Sequence, residues 1–253
     1  MGTLIGSTFR NALCADFNGT DEYMSRTGTL SFRSDTAGAW SRWVRIDNTF
    51  AADGVRFIMG LGTSGTNRLI FGVRRIATTG SSTYFTWVTT RGGVTRGYSA
   101  TTTALAANTW YHVVFQSSGT AYSCSVNGTS QTITQWAGAV ANTGDWFGDH
   151  TGTAPWFTVG VQNGPTSALG TNFFEGRMDE FLYLPGRVFT AGEVTEIYNA
   201  GVPKNPHKLS FASDVDVWWR FGDSRDSGTT VYDEIGSNDL AMVNMDASNY
   251  VAV

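Results

Sequence analysis

Charge, strong helix formers and long apolar runs are all scarce in this sequence. Only 15% of its 253 residues are charged, and Lys, Glu and Gln are few. A surface that follows a phosphate backbone needs clustered positive charge, but the 17 Lys and Arg residues form no run. Nucleic acid is therefore not expected as a partner.

No apolar run approaches the roughly 18–20 residues that a membrane-spanning helix needs. The N-terminus, MGTLIGSTFRNALCADF, also lacks the basic start and apolar stretch of a secretory signal. We therefore expect no membrane insertion and a chain that stays in solution, unless a signal precedes Met1 in the natural protein.

Cysteine is limited to Cys14 and Cys124, too few for a disulfide framework or a zinc site. Two buried, free thiols are the expectation. A single disulfide between them is the alternative, because sequence alone does not fix the geometry of such a bond.

The residues that are abundant favour β-structure. The chain has 30 Gly, 16 Phe, 9 Trp and 9 Tyr, with many Thr and Ser. β-branched and aromatic residues suit a pleated, half-buried surface, and Gly supplies turns. The composition predicts one all-β domain over residues 1–253, built as a two-sheet antiparallel sandwich.

Short apolar runs separated by Gly, Asn, Asp and Ser predict the strands. These runs are Ala12–Phe17, Ala39–Ile46, Val55–Leu61, Arg68–Arg75, Tyr84–Thr89, Trp110–Gln116, Ala121–Val126, Ser130–Thr134, Trp156–Val161, Phe173–Leu184 and Val215–Phe221. Asn127-Gly128 predicts a type I′ hairpin, because both residues tolerate a positive φ.

One helix is predicted, near residues 190–200. Thr190 and Glu193 have the spacing of a capping box, and Phe189 and Val194 that of a hydrophobic staple. Gly201 is expected to end the helix in a left-handed conformation.

Four segments, taken in order, resemble the laminin G-like or concanavalin A-like jelly roll of lectins and glucanases. They are Ala15–Met24 (ADFNGTDEYM), Trp40–Arg45 (WSRWVR), Thr109–Phe115 with Ser125–Gly128 (TWYHVVF…SVNG), and Phe174–Tyr183 (FEGRMDEFLY) followed by the capped helix. This resemblance implies an antiparallel jelly roll with one short helix.

The C-terminal part has an unusual place in that pattern. Asp216–Asp223 (DVWWRFGD) and Asp233–Leu240 (DEIGSNDL) look like the segment that opens the domain in most relatives, but here they close it. This order is similar to that of phage virion proteins carrying such a domain. We expect residues 202–253 to return to the sandwich. Met242–Val253 should add a strand to its own sheet or dock on another subunit.

The resemblance also implies a calcium site. Members of this fold often hold Ca²⁺ between the opening strand's turn and the aspartate that matches Asp179. The matching ligands are Asn18, Gly19 and Asp179, with Asp21 as a fourth contributor. The alternative is that Asp179 hydrogen-bonds a loop.

A hydrolase is not expected. Related β-glucan hydrolases place alternate carboxylates, Glu-x-Asp-x-Glu, on one face of a strand. Here Asp179 and Glu180 are adjacent, which predicts side chains on opposite faces. The sequence therefore indicates a protein without catalytic residues, and a glucan hydrolase is the third-ranked hypothesis.

Gln135–Pro155 is the longest stretch without a strand pattern, and long loops often bind ligands. Its candidate glycan-binding residues are Trp136, Asp145, Trp146, Asp149 and His150, because indole rings stack on sugars while polar groups bind hydroxyls. The alternative is a loop folded over the sandwich, with its tryptophans filling the edge of the core.

These features lead to two main hypotheses of function. The first is a structural protein on a particle surface, most simply a phage capsid decoration, fibre or tail protein made in the host cytoplasm. Its partners would be capsid or other virion proteins, neighbouring copies of itself and host glycans. The alternative is a secreted carbohydrate-binding module.

Overall fold

The computed structural model describes residues 9–27, 30–47, 54–76, 82–138, 142–150, 156–162, 172–223 and 225–253. Within them the chain forms two antiparallel sheets and one α-helix, α1 (Ala191–Tyr198). This confirms the predicted all-β sandwich. No described helix is long and apolar enough to cross a membrane.

The eight-stranded sheet includes both the first and the last strand of the described residues. Its order is β10-β9-β8-β3-β13-β1-β17, and β14 also pairs with β13. The strands are β1 (Leu13–Asn18), β3 (Gly38–Ile46), β8 (Trp110–Ser117), β9 (Tyr122–Val126), β10 (Thr129–Ser130), β13 (Glu175–Pro185), β14 (Val217–Trp219) and β17 (Tyr250–Ala252).

The nine-stranded sheet lies opposite, in the order β11-β7-β6-β5-β4-β12-β2-β16-β15. Its strands are β2 (Tyr23–Thr27), β4 (Val55–Ser64), β5 (Asn67–Ile76), β6 (Ser82–Arg91), β7 (Val94–Ala100), β11 (Ile133–Ala137), β12 (Trp156–Val159), β15 (Thr230–Val231) and β16 (Leu240–Val243). The strand pattern did not reveal β2, β7, β15 or β16, which are rich in polar or small residues, or very short.

The core lies between the two sheets and is largely aromatic. Alternation along β6 is representative, because Phe85 and Trp87 point inward while Thr86 between them points outward. Phe115 is central to this core, with ring centroids 4.4 Å from Phe71 and 4.6 Å from Trp87. Tilted and edge-on rings at these distances pack favourably.

A second apolar cluster covers the outer face of the eight-stranded sheet. It consists of Ala39, Val114, Leu182, Leu184, Phe189, Val194, Ile197, Leu209, Phe211 and Val215. Helix α1 therefore rests on the sandwich through its apolar stripe, as an isolated helix of this length needs.

The ends of α1 match the prediction in part. The capping box forms, since the Glu193 N–H donates to Thr190 Oγ1 at 3.2 Å and the Thr190 N–H donates to Glu193 Oε2 at 2.7 Å. The left-handed stretch begins earlier than Gly201, at Asn199 (φ 46°), and continues through Ala200 (φ 54°). Asn adopts this conformation more readily than most residues, so it ends the helix.

The predicted hairpin is also present. Thr129 pairs with Val126 around Asn127 (φ 49°) and Gly128 (φ 75°), both in the left-handed region that a type I′ turn requires.

Residues 202–253 contribute strands to both sheets. β14 pairs with β13, β16 with β2, and β17 with β1, where Cys14 lies opposite Val251. The tail thus adds a strand to its own sheet, the first of the two alternatives. Cys14 and Cys124 are buried and free, as expected, and burial raises the pKa of each thiol to about 12.

Candidate functional site

Two residues of the predicted glycan-binding set lie in the interior. Trp146 is 0% exposed, stacks on Phe115 at 5.7 Å and donates from Nε1 to the Tyr183 hydroxyl at 3.0 Å. His150 is also fully buried, and burial lowers its pKa to about 4. A buried side chain cannot contact a sugar, so the prediction is wrong for both residues. Trp146 fills the edge of the core, as the alternative stated.

Asp145 and Asp149 have structural partners. Asp145 pairs with Arg91 at 3.1 Å and with Arg96 at 3.4 Å, and Asp149 pairs with Arg91 at 3.4 Å. Asp149 also accepts the Trp146 N–H at 2.9 Å. These contacts fasten the segment to the β6–β7 hairpin, and ligand binding by the two carboxylates stays a prediction.

Trp136 alone of the five presents a ring to solvent, with 37% of its surface exposed. It lies in β11, not in a loop, and the register shift between Gln135 and Ala137 marks a bulge there. On β7, Gly97 alternates with the inward-facing Tyr98 and Ala100, so it belongs to the outer face of the nine-stranded sheet. The Trp136 ring covers Gly97 and therefore lies on that outer face.

The Trp136 ring is held from two sides. A Cβ added at Gly97 would lie 2.5 Å from Cε2 and Cζ2, so only glycine lets the indole pack this closely. The Trp136 Nε1–H donates to Thr86 Oγ1 at 3.2 Å, and Ser99 Oγ donates to the same oxygen at 3.2 Å. The Arg74 guanidinium carbon lies 4.2 Å from the ring centroid. We call Arg74, Thr86, Gly97, Ser99 and Trp136 the Trp136 platform.

The charged residues in the described strands of the sheet that carries the platform are all positive. The described strands of the nine-stranded sheet contain no Asp or Glu, although the whole chain has a net charge of −4. Their charged residues are Arg26, Arg56, Arg68, Arg74, Arg75, Arg91 and Arg96. Arg91 and Arg96 pair with Asp145 and Asp149, and the other arginines give the strands positive charge that favours an anionic ligand at this sheet.

The predicted calcium ligands Asn18, Gly19 and Asp21 form a tight turn after β1. Asn18 Oδ1 accepts the N–H groups of Thr20 at 2.7 Å and Asp21 at 3.2 Å, while Asn18 Nδ2 donates to Asp21 Oδ1 at 2.9 Å. Gly19 has a φ of 74°. The turn is therefore satisfied by its own hydrogen bonds.

Asp179 does not join that turn. Asn18 pairs with Glu175, and Asp179 lies four residues further along β13, about 13 Å away for extended strand. The expectation that these four residues share one ion is wrong for this reason. Among the residues described, no three His, Cys, Asp or Glu side chains come together as a metal site. The four predicted ligands therefore do not form one site, and calcium binding stays a prediction from the resemblance.

The side chains of Asp179 and Glu180 do not alternate between the two faces of β13, as they would in a regular strand. Glu180 has a φ of 47° and the register shifts between Asp179 and Leu182, so the strand bulges here. Met178 and Phe181 on either side both point into the core, which leaves Asp179 and Glu180 together on the outer face. The expectation of opposite faces is corrected by this bulge.

Glu180 is bound within the protein. Its Oε2 accepts the Trp218 indole N–H at 2.5 Å, and Arg220 Nε lies 3.3 Å from Oε1. Burial raises the pKa of Glu180 to about 7, although Arg220 opposes the shift. The neighbouring Trp219 points to the other face and stacks on Phe181 at 4.6 Å.

His112 is the remaining unusual polar group. It is buried on the same outer face, 5.1 Å from the Trp43 ring centroid and 6.0 Å from that of Tyr198. Neither ring nitrogen has a hydrogen-bond partner, and burial lowers its pKa to about 3. It is a neutral packing residue.

Solved structures with a similar fold include three proteins that differ widely in sequence. A candidate carbohydrate-binding protein of Bacteroides ovatus has a TM-score of 0.60 and 18% identity, and the match covers 97% of this chain and 64% of that one. A full-length tailspike protein 2 of an Escherichia coli bacteriophage has a TM-score of 0.53 and 12% identity over 88% of this chain and 31% of that one. The CBM40 domain of a Ruminococcus gnavus sialidase, bound to α2,3-sialyllactose, has a TM-score of 0.52 and 10% identity over 73% and 96%.

These identities show a shared fold only. No curated protein matches the sequence. Residues 18–195 match a family by their sequence, and that match spans more than two thirds of the chain. The protein belongs to the Concanavalin A-like lectin/glucanases superfamily.

Proposed function

We propose that this protein binds carbohydrate without acting on it, through the Trp136 platform, and that the sugar carries negative charge. The observation behind the proposal is the partly exposed Trp136 indole, which is fixed against Gly97 and has the Arg74 guanidinium stacked on it.

The chemistry of the platform suits a charged sugar. An exposed indole offers an apolar surface to the C–H face of a pyranose ring. The stacked guanidinium places a positive charge beside the ring, and this charge attracts a carboxylate or sulfate. Because Thr86 and Gly97 already hold the ring in place, binding would cost little side-chain entropy.

The charge pattern also supports binding rather than hydrolysis. Most glycosidases need two carboxyl groups on either side of the bond that breaks. The described strands of the nine-stranded sheet carry no carboxylate, so their residues supply neither the acid nor the nucleophile.

Two locations fit this activity. A secreted carbohydrate-binding module is favoured by the family and by the fold shared with carbohydrate-binding proteins. A place on a phage particle, in contact with capsid proteins or neighbouring copies, is favoured by the order of the C-terminal segments and by the fold shared with a tailspike. Purifying the native protein from its source distinguishes the two, since it arrives either alone or on a particle.

Calorimetric titration with charged and neutral sugars tests the proposal. 3′-Sialyllactose and oligogalacturonate should bind, while lactose should bind at least tenfold more weakly, because a charged hydrogen bond contributes about 1.5–3 kcal/mol. Trp136→Ala and Arg74→Gln should both abolish measurable binding.

Two control variants match these changes. Trp110→Ala removes a partly exposed tryptophan of the other sheet. Arg225→Gln removes an arginine that also stacks on a ring, 4.9 Å from the Tyr232 centroid. Both should bind like the wild type. Equal affinity for lactose and sialyllactose would refute the anionic ligand, and unchanged binding by Trp136→Ala would refute the platform.

A further inference from the structure

A cavity of about 80 Å³ lies on the outer side of the eight-stranded sheet, away from the Trp136 platform. Its lining residues are Asn11, Trp43, Trp110, Asp179, Gly201, Pro203 and Val253. Val253, on one side of the cavity, is 50% exposed. Asp179, which lies apart from the Asn18 turn, lines this cavity.

Two oxygen acceptors at this cavity lack a partner. Asp179 is 1% exposed, and its Oδ1 accepts the Glu180 N–H at 2.8 Å. Its other oxygen, Oδ2, is buried and makes no hydrogen bond of ordinary geometry, and neither does Asn11 Oδ1. The Asn11 side chain is close enough to Asp179 to lower the pKa of its carboxyl. Leaving such atoms unpaired costs about 1–3 kcal/mol each. The cavity therefore calls for a group that donates hydrogen bonds.

The local charge favours a cation as that donor. Asp179, Glu180 and Asp223 act on one another here, and burial followed by Glu180 raises the pKa of Asp179. Arg220 lies 3.3 Å from Glu180 and 3.4 Å from Asp223.

The remaining nearby guanidinium does not reach Asp179. Arg42 is enclosed in the core, 5.2 Å from the Phe181 ring and 5.0 Å from that of Phe221. None of its nitrogens has a hydrogen-bond partner. Among the described ion pairs, neither Arg42 nor Arg220 pairs with Asp179, so a bound ammonium group would stabilise the ionised form of this carboxyl.

The side chains that line the cavity define what kind of cation fits in it. Trp43, Trp110, Pro203 and Val253 present indole and aliphatic surface, which suits methylene groups and attracts a cation through the indole rings. Pockets for whole small molecules measure about 300–1,000 Å³, so a sugar is too large. Calcium takes six to eight oxygen ligands, more than Asp179 and Asn11 supply.

We propose that this cavity binds a primary alkylammonium group, with Asp179 Oδ2 and Asn11 Oδ1 accepting its hydrogen bonds and its carbon chain lying between Trp43 and Trp110. A free aliphatic amine and the side chain of a lysine on a partner protein share this chemistry.

Nuclear magnetic resonance of the full chain, with ¹⁵N-labelled indole groups, tests the site. Trp43→Phe and Trp110→Phe identify the two relevant indole signals. Propylammonium should shift both in a saturable manner and leave the Trp136 signal unchanged, while 1-propanol, of the same shape without charge, should not. Nα-acetyl-lysine amide and its Nε-acetylated form provide the same comparison for a lysine side chain.

Two variants separate the site from non-specific binding. Asp179→Asn keeps the shape and removes the charge, and should weaken binding at least tenfold. Asp21→Asn makes the same change at an exposed turn and should have no effect. If Asp179→Asn does not fold, Trp110→Leu tests the site instead. This variant should bind propylammonium roughly fivefold more weakly than the wild type, because it lacks one indole ring.

The outcomes are distinct. Binding of both amines supports a lysine side chain as the natural ligand, and binding of propylammonium alone supports a free amine. Absence of saturable shifts, equal shifts with propanol, or wild-type binding by Asp179→Asn would each overturn the proposal and show that the cavity holds only water.

Discussion

Gly97→Ala is the smallest change that should disable the Trp136 platform. The new methyl group would lie 2.5 Å from two atoms of the Trp136 ring, while ordinary contact begins at 3.4 Å. The ring must therefore move by about 1 Å, since carbon atoms repel steeply inside their contact distance. Gly97 does not have a positive φ, so its backbone tolerates alanine and the effect comes from this contact alone.

Displacing the ring should break the Thr86 hydrogen bond and disturb the Arg74 stacking. These contribute about 1 kcal/mol and about 0.5–1 kcal/mol. Alanine restricts the unfolded chain more than glycine does, and this stabilises the folded state by about 0.4–1 kcal/mol. The free energy of unfolding should thus fall by only about 1 kcal/mol, whereas affinity for a charged sugar should fall at least tenfold.

Urea unfolding and calorimetric titration measure the two quantities. Gly65→Ala is the matched control, because a Cβ at Gly65 meets nothing within 4 Å. It should lower neither the free energy of unfolding nor the affinity for the charged sugar. If Gly97→Ala alters the fluorescence of Trp136 and still binds sugar like the wild type, the platform is not the binding site.

Three other predictions follow from the described contacts. Thr190→Ala removes the capping box of α1 and should lower the free energy of unfolding by about 1 kcal/mol, measured by urea unfolding; an unchanged midpoint would contradict the role of the cap. His112→Phe should make the free energy of unfolding depend less on pH in the acid range. The buried ring has a pKa of about 3, while in the unfolded chain it takes up a proton below pH of about 6.5. The wild type should therefore lose about 2–3 kcal/mol more than the variant between about pH 6.5 and about pH 4.5, and parallel profiles would refute this. Asp179→Ala should leave any rise in melting temperature with millimolar calcium unchanged, because Asp179 is remote from Asn18; loss of the response would restore Asp179 as a ligand.

The features that could be predicted from sequence are local ones. The capping box at Thr190 and the hairpin at Asn127-Gly128 each depend on residues within a few positions, so spacing alone identifies them. The all-β class follows from composition and strand patterns, which are summed over the whole chain.

The site could not be predicted in the same way, because it depends on register. Trp136 and Trp146 lie in one polar segment, and the difference between an exposed and a buried ring is set by strand pairing and by a bulge. The bulge at Glu180 brings two acids to one face, against the period of two. The distance from Asn18 to Asp179 depends on how β1 aligns with β13. The strand pattern did not reveal β7 either, so Gly97 gave no sign that another group packs closely there.

The pairing of β1 with β17 also has a consequence for synthesis of the chain. Cys14 and Val251 are neighbours in the sheet but 237 residues apart in sequence. At about 5–20 residues per second, a ribosome needs roughly ten to fifty seconds to make the intervening chain. During that time the edge of β1 that later pairs with β17 has unpaired backbone N–H and C=O groups, which can bind a strand of another nascent chain. A chain that lacks Tyr250–Ala252 should therefore depend on chaperones more than one that includes this strand.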